Sequence, residues 1–124
     1  MKIYLAGPMR GLPNFNFPAF DTAAAKLRSQ GHTVFSPADH DREVNGPEIE
    51  HNPTGDEAIC AAKFGFDIRQ ALGADLAWIC THADAVALLP GWEKSKGANA
   101  ERAVAIALDI TVMVLGKEYI NVNN

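Results

Sequence analysis

The sequence has few cysteines and no long hydrophobic run. Its 124 residues contain two cysteines, Cys60 and Cys80, and these form neither a disulfide framework nor a metal-ligand spacing. We expect both thiols to be buried and reduced, which is typical of a cytoplasmic protein. The longest apolar stretches, ADAVALLP and ITVMVLG, are too short to cross a bilayer. Because the first residues lead directly into a strand-like run, we expect no signal peptide.

The chain also lacks a strong charge of either sign. Its formal net charge is −4 and no basic stripe is visible, which argues against a nucleic-acid partner. The four histidines are scattered. His40, between Asp39 and Asp41, is the one candidate metal ligand, but a solvated loop is the favoured interpretation. We therefore expect no metal and no cofactor.

The apolar pattern predicts alternating strands and helices. The predicted strands are residues 2–6, 33–35, 84–89 and 110–115, and the predicted helices are residues 17–31, 56–82 and 97–109. Such an order predicts a parallel sheet of four to five strands with helices on both faces. The predicted fold is a doubly wound α/β fold, flavodoxin-like or Rossmann-like, in a single domain over residues 1–124.

Local signals refine three boundaries. In the first helix Asn16 is the expected N-cap, Pro18 lies in the first turn and Gly31 is the stop signal. Residues 38–55 are polar and show no apolar period, so we expect a long loop there. We expect the helical region that follows to be broken or bent near Gly73.

Three segments should converge at the carboxyl ends of the strands, where doubly wound folds bind ligands. They are residues 7–11, 36–55 and 91–101. In the first segment Gly7 and Gly11 permit close backbone approach, and the Arg10 side chain suits an anion. A generic tight turn explains the same residues equally well.

The third segment reads as an anion-binding turn before a helix that begins near Gly97. Ser95 and Gly97 are candidate phosphate ligands there, beside two lysines at positions 94 and 96. Glu101 then lies in the second turn of the helix. From spacing alone, a surface glutamate favoured by the helix dipole is the simpler interpretation.

Two further carboxylates remain ambiguous on spacing alone. Asp75 and Asp84 either begin and end local turns or join Glu101 in a site. Paired carboxylates at one edge of a sheet suit nucleophilic attack on a sugar carbon with assisted proton transfer.

Three segments resemble a known superfamily. They are IYLAGPMRG, ADLAWICTHADAVALL and SKGANAERAVA, and together they are similar to the nucleoside 2-deoxyribosyltransferase-like proteins. Within that superfamily the pattern is most similar to the 2′-deoxynucleoside 5′-monophosphate N-glycosidases. A group of short proteins of unknown function from phages and prophages shares YLAGPMRG even more closely.

The resemblance implies catalytic roles for three residues. Glu101 matches the nucleophile that forms a covalent glycosyl-enzyme intermediate. Asp75 matches the carboxylate that contacts the sugar and assists proton transfer to the leaving base. Tyr4 falls where the superfamily keeps a tyrosine near the nucleophile. The implied activity is hydrolysis or exchange of the base–sugar bond in a nucleotide or nucleoside.

The resemblance also implies a substrate-binding set and a homodimer or larger assembly. The set comprises Gly7, Arg10, Gly11, Asp84, Trp92, Ser95 and Gly97. Ser95 matches a phosphate-binding serine, Asp84 supports the site, and Trp92 is the candidate for stacking on the base. Pro8 departs from the pattern, because the monophosphate N-glycosidases usually carry a serine there. Phe15 and Phe17 are weaker stacking candidates, for which core packing is favoured.

Two other functions are compatible with the sequence. One is a nucleotide-binding module that retains the pocket without turnover, and the other is a structural interaction domain. The carboxylate set favours the enzyme over the binding module, and the three polar loops at one edge of the sheet argue against the structural domain. Neither the base nor the sugar can be read from the residues.

Overall fold

The computed structural model describes residues 1–121. Four strands and five α-helices lie within them. The strands are β1 (Lys2–Ala6), β2 (Thr33–Phe35), β3 (Ala85–Leu88) and β4 (Thr111–Val114). The helices are α1 (Phe17–Ser29), α2 (Pro37–Asn45), α3 (Glu57–Phe64), α4 (Ile68–His82) and α5 (Lys96–Ala107).

The four strands form one parallel sheet in the order β2-β1-β3-β4. Tyr4 is in register with Phe35 on one side and with Val86 on the other. The predicted doubly wound fold is confirmed, with the strand order of a flavodoxin-like sheet. The direction of winding reverses between β1 and β3, so the helices that follow these two strands, α1 and α5, lie on opposite faces of the sheet. A crevice at this point of the sheet is where such folds bind ligands.

Alternate residues of the central strands enter two separate cores, as the two-residue period of a strand requires. Ile3 and Leu5 pack against α1 on one face, where Phe20 and Leu27 are fully buried. Tyr4 and Ala6 face the other side, together with residues of α4 and α5. Every residue of β3 is buried, because helices cover both faces of the sheet. Tyr4 is therefore fixed by packing on all sides.

Most helix ends carry the capping and stop residues that the sequence predicts there. Asn16 precedes α1 and Pro18 lies in its first turn, although the Asn16 side chain makes no capping bond. Gly31 has a φ of 94° directly after the end of α1, a conformation that glycine adopts at no steric cost. The N-cap serine of α5 is Ser95, whose hydroxyl oxygen accepts the Ala98 N–H. These boundaries confirm the first and last predicted helices to within a few residues.

The prediction of a loop over residues 38–55 was wrong. The first half of this segment is α2, followed by the 3-10 turn Pro47–Glu50. His40 is consequently a helical residue whose ring lies 5.6 Å from that of Phe35. The helix carries almost no apolar residues, so it shows no hydrophobic period, and it is held in part by ion pairs. Arg42 bonds to the carboxyl group of Asp21 at 2.7 Å and to that of Asp39 at 3.4 Å.

The predicted break in the helical region lies at a different place. The chain breaks after α3, where Gly65 adopts a left-handed φ of 71° and Asp67 caps α4 through the Arg69 and Gln70 N–H groups. Gly73 lies inside the continuous α4. The glycine ends α3, and the aspartate two residues later caps the start of α4. A glycine inside a helix without such a cap does neither.

The prediction that both thiols are buried holds for one of them. Cys60 on α3 is buried, whereas Cys80 is exposed. Ile79 on α4 turns into the core. Cys80 follows it one residue later, about 100° around the helix, and therefore faces outward. Over residues 1–121, no helix has both the length and the hydropathy that a membrane span needs.

Candidate active site

A cavity of about 650 Å³ lies beyond the carboxyl ends of β1 and β3. Its volume is in the range typical of small-molecule sites. The loop after β1 and the loop after β3 form part of its wall. They approach closely at Gly7, where an added Cβ would meet the Leu89 Cβ at 2.8 Å. The cavity is therefore built at the point where the winding of the sheet reverses.

Tyr4 and Glu101 meet at the floor of this cavity. Tyr4 comes from β1, and Glu101 comes from the second turn of α5, where it is only 5% exposed. The Tyr4 hydroxyl donates a 2.5 Å hydrogen bond to Glu101 Oε2. Burial raises the pKa of the Glu101 carboxyl to about 8; the Tyr4 bond opposes this increase and the nearby Asp75 charge adds to it. Glu101 is not a surface residue, so that simpler interpretation of its position was wrong.

Asp75 is the second buried carboxyl group that lines the cavity. It lies on α4, is 8% exposed, and its Oδ1 atom is buried without a hydrogen-bond partner. Burial raises its pKa to about 6, while the neighbouring Tyr4 and His40 oppose this increase. The pKa of Tyr4 is raised by burial and by the Glu101 and Asp75 charges. The Tyr4 hydroxyl therefore interacts with both carboxyl groups, and an orphaned carboxyl oxygen beside a cavity is a typical ligand contact.

A third buried carboxyl group, Asp41, was missed by the sequence analysis as a site residue. It lies on α2, is 7% exposed and lines the same cavity. Burial raises its pKa to about 7, and the Asp75 charge adds to this increase. The signal that could have found it is the Ser36-Pro37 pair, which marks a helix start. Asp41 is one helical turn after Pro37, on the same face.

Three cations line the cavity from the loop after β1 and from the segment that leads from β3 into α5. Arg10, Lys94 and Lys96 line the cavity there, together with Gly97 and Ala98 from the first turn of α5. The Arg10 Nη1 atom lies 3.1 Å from Glu57 Oε2 in an ion pair whose two side chains are 44% and 35% exposed.

Ser95 lines the cavity as predicted, and its hydroxyl group also has a structural task. Its oxygen accepts the Ala98 N–H at 3.1 Å, which caps α5. A serine that caps a helix keeps its hydroxyl near the free N–H groups of the first turn. Ser95 and Gly97 therefore stand where an anion at the start of α5 would bind.

Three residues of the predicted binding set do not line the cavity. Asp84 lies before β3, at the opposite end of the sheet, where it accepts the Lys2 N–H at 2.7 Å. Trp92 packs against the second core, and the Arg102 guanidinium lies 5.3 Å from its ring centre. Gly11 donates its N–H to the Gly55 carbonyl at 2.9 Å. Asp84 was misplaced because a residue that opens a strand cannot reach the strand's carboxyl end.

Apolar side chains make up the remaining wall of the cavity, and the sequence analysis identified few of them. They come from α1, α3, α4 and the segments around them: Phe15, Phe20, Ile49, Cys60, Phe66, Ile68, Ala71, Leu72 and Ile120. Phe15 belongs both to this wall and to the core, whereas Phe17 is fully buried in the core. An apolar wall with a few buried polar groups suits a flat heterocycle attached to a polar tail.

The carboxyl groups are not arranged as a metal site. In the part of the chain that the structure describes, no group of three or more His, Cys, Asp or Glu side chains is close enough to hold a metal ion. The arrangement instead holds two buried carboxyl groups, Glu101 and Asp75, with the Tyr4 phenol hydrogen-bonded to Glu101.

Comparison with known proteins identifies one family. No curated protein and no solved structure is significantly similar to the chain. Residues 1–114 match the family model described as Domain of unknown function (DUF4406). The match includes Tyr4, Asp41, Asp75 and Glu101, and it covers nearly the whole sequence. The chain therefore belongs to the DUF4406 family.

Proposed function

We propose that this protein cleaves or exchanges the base–sugar bond of a nucleotide or nucleoside, with Glu101 as the nucleophile. The observation that carries the proposal is the contact between Tyr4 and Glu101 inside a cavity that also contains Asp75. The proposal also rests on the resemblance of three segments to the nucleoside 2-deoxyribosyltransferase-like superfamily. Two carboxyl groups at a sugar carbon suit a displacement that retains configuration.

The reaction has two steps that balance in atoms and charge. In the first, the ionised Glu101 carboxylate attacks C1′ while the bond from C1′ to the base nitrogen breaks. The departing base keeps the bonding electrons and takes a proton from Asp75. In the second, Asp75 removes a proton from water, whose oxygen attacks C1′ and releases Glu101. If a second base replaces the water, the same intermediate yields transfer instead of hydrolysis.

Tyr4 helps to ionise the nucleophile. Burial raises the pKa of Glu101 to about 8 and that of Asp75 to about 6, so a proton resides mainly on Glu101 at neutral pH. The Tyr4 hydroxyl donates to Glu101 Oε2, and the positive charge that develops at C1′ acts in the same direction, so both favour the ionised carboxylate. The proton that leaves Glu101 is taken up by Asp75, which lines the same cavity and gives it to the departing base.

The cationic part of the wall is the proposed site for the 5′-phosphate of a substrate. Arg10, Lys94 and Lys96 supply positive charge at this part of the cavity. The N-terminus of α5 adds unpaired N–H groups and the positive end of a helix dipole. A nucleoside 5′-monophosphate is therefore the favoured substrate class, with a homodimer or larger assembly as the favoured state in solution.

A base-release assay tests this function directly. Purified protein is incubated with ribo- and deoxyribonucleoside monophosphates and with free nucleosides, and the released base is separated chromatographically. We expect release of base by the wild type and a loss of at least about 10³-fold in Glu101→Ala. Glu93→Gln is the matched control, because Glu93 is an exposed glutamate on the preceding turn. A repeat with an added acceptor base detects transfer.

A nucleotide-binding module without turnover is the second candidate. The high pKa of Glu101, which burial causes, favours it, because a protonated carboxyl group is a poor nucleophile. Such a protein would bind a nucleotide in wild-type form and release no base from any substrate in the panel. Binding without release, with equal affinity in Glu101→Ala, would support this second function over the first.

A further inference from the structure

Asp41 is a buried carboxyl group for which the proposed reaction has no use. It lines the cavity from α2 and is 7% exposed. Around it the wall is apolar: Ile49 and Cys60 line the cavity with it, and the Asp41 charge contributes to the raised pKa of the Cys60 thiol, which burial mainly causes. A buried carboxyl group in such surroundings is costly unless something hydrogen-bonds to it. Asp41 therefore needs a partner in the cavity.

The three carboxyl groups follow one another in a fixed order. Asp75 lies on α4, which packs against α2, the helix of Asp41, and against α5, the helix of Glu101, so Asp75 lies between the other two groups. The orphaned Oδ1 atom of Asp75 marks the middle of this row as a place where a ligand group belongs. A molecule that reaches from Glu101 past Asp75 next meets Asp41.

The order of the three carboxyl groups determines how a nucleotide would lie in the cavity. Its phosphate belongs at the loops that carry Arg10, Lys94 and Lys96, and its sugar carbon belongs at Glu101. The base then extends past Asp75 toward the apolar wall, where Phe15 and Phe66 lie with their ring centres 6.3 Å apart. Asp41 is the carboxyl group that lines the cavity from the side of α2.

We propose that Asp41 recognises the base, donating a hydrogen bond from its carboxyl group to a ring nitrogen or carbonyl oxygen. This inference rests on the proposed function, because it assumes that the cavity holds a nucleotide. Asp41 thereby selects among bases and takes no part in breaking the bond. A base without an acceptor at the right position leaves the buried carboxyl group unpaired, which costs affinity.

The surroundings of Asp41 favour the protonated form of its carboxyl group. Burial and the Asp75 charge hold the pKa of Asp41 at about 7, so the neutral acid is present at neutral pH. On the side of α3, Glu57 and Cys60 face this region. Arg10, the cation beside them, is paired with Glu57 at 3.1 Å, so its charge is offset there. A neutral carboxyl group carries one donor, which an ionised one lacks.

Binding measured without cleavage tests the inference. In the Glu101→Gln background, which removes turnover, the affinities of nucleoside monophosphates are compared by calorimetry in pairs that differ by one acceptor. In purines N3 or N7 is replaced by CH, and in pyrimidines O4 is absent. The protein that retains Asp41 is compared with Asp41→Asn, which keeps a hydrogen-bond donor, and with Asp41→Leu, which has none. Glu43→Gln is the control, since Glu43 is exposed on the same helix.

The expected result is a preference for one acceptor that depends on Asp41. We expect Asp41 and Asp41→Asn to bind the better member of at least one pair about 10- to 100-fold more tightly than its partner. Asp41→Leu should bind both members alike, with a circular dichroism spectrum like that of the wild type. An unchanged preference in Asp41→Leu on every pair would overturn the inference.

The outcomes also separate this inference from the proposed function. Base release by the wild type with an unchanged preference in Asp41→Leu would overturn the role of Asp41 alone. An Asp41-dependent preference without base release would overturn the proposed reaction and support base recognition. If no nucleotide binds and no base is released, both proposals are wrong.

Discussion

The Tyr4 hydroxyl donates a 2.5 Å hydrogen bond to Glu101 Oε2 across 97 positions of the chain. The two residues lie on the first strand and the last helix, and both are buried. The parallel order of the sheet brings them together, because α5 packs over β1 on the face toward which Tyr4 points. The site is therefore held together by the packing of the first strand against the last α-helix.

Removal of the Tyr4 hydroxyl should move the pH dependence of base release upward. The Tyr4 bond lowers the pKa of Glu101 against the effect of burial, which raises it to about 8. Without that bond the pKa increases further, so a higher pH is needed to ionise the nucleophile. A hydrogen bond to a charged group is worth about 1.5–3 kcal/mol, which corresponds to a shift of about one to two pH units in Tyr4→Phe.

The measurement is kcat/KM against pH for the wild type and for Tyr4→Phe. Tyr119→Phe is the matched control, because Tyr119 packs on the other face of the sheet, beside Lys26. We expect its profile to overlay that of the wild type. A Tyr4→Phe profile that falls in height without moving along the pH axis would contradict the assigned effect on Glu101.

The buried carboxyl groups should make the protein less stable as the pH increases. Burial raises the pKa of Glu101 from 4.5 to about 8, that of Asp41 from 3.8 to about 7 and that of Asp75 from 3.8 to about 6. Between the unfolded and folded values the folded protein binds more protons, so the free energy of unfolding decreases with increasing pH. The decrease should extend from about pH 4 to about pH 8.

Denaturant unfolding at pH 5, 6, 7 and 8 measures this slope. In Asp41→Asn one of the three groups no longer titrates, so we expect a smaller decrease than in the wild type, mainly below pH 7. Glu43→Gln removes an exposed carboxyl group from the same helix and should leave the slope unchanged. Equal slopes for Asp41→Asn and the wild type would show that Asp41 is not buried in solution.

The sequence predicts a residue's role well where that role depends on its neighbours along the chain. The apolar strands and the glycine after α1 specify their own conformations, so the parallel sheet and the order of strands and helices along the chain could be predicted from them. Tyr4, Asp75 and Glu101 could be assigned only by resemblance, because spacing along the chain does not show which carboxyl groups are buried.

Asp41 escaped prediction because α2 is stabilised by ion pairs and not by an apolar stripe. Its helix looks like a polar loop when only hydrophobic periods are read. Asp84 opens β3, as the resemblance implied, and it therefore lies at the end of the strand that faces away from the cavity.

Two substitutions of Ser95 should separate its role in helix capping from its proposed role in phosphate binding. Its hydroxyl oxygen accepts the Ala98 N–H, so Ser95→Ala should lower the free energy of unfolding by about 1 kcal/mol. Ser95→Asp keeps a capping acceptor and should recover that stability. The added negative charge at the rim of the cavity should, however, raise the KM for nucleoside monophosphates and leave free nucleosides nearly unaffected.

Denaturant unfolding and steady-state kinetics on both substrate classes measure the two effects of Ser95. An unchanged KM for monophosphates in Ser95→Asp would place the phosphate elsewhere. Arg28→Met is a useful control, because this cation pairs with Asp39 at 2.9 Å, away from the cavity.

Gly7 should prove sensitive to a single added methyl group. An alanine Cβ at this position would meet the Leu89 Cβ at 2.8 Å, so the loop after β1 would have to move away from the end of β3. Overpacking of this kind costs about 1–3 kcal/mol. Because both loops line the cavity, we expect Gly7→Ala to lose base release as well as stability.

Gly73→Ala is the matched control for Gly7→Ala. The Cβ of an alanine at position 73 meets no atom within 4 Å, and an alanine in a helix interior should increase stability by about 0.5–1 kcal/mol. Full activity and unchanged stability in Gly7→Ala would mean that the two loops do not pack as closely in solution as the contact requires.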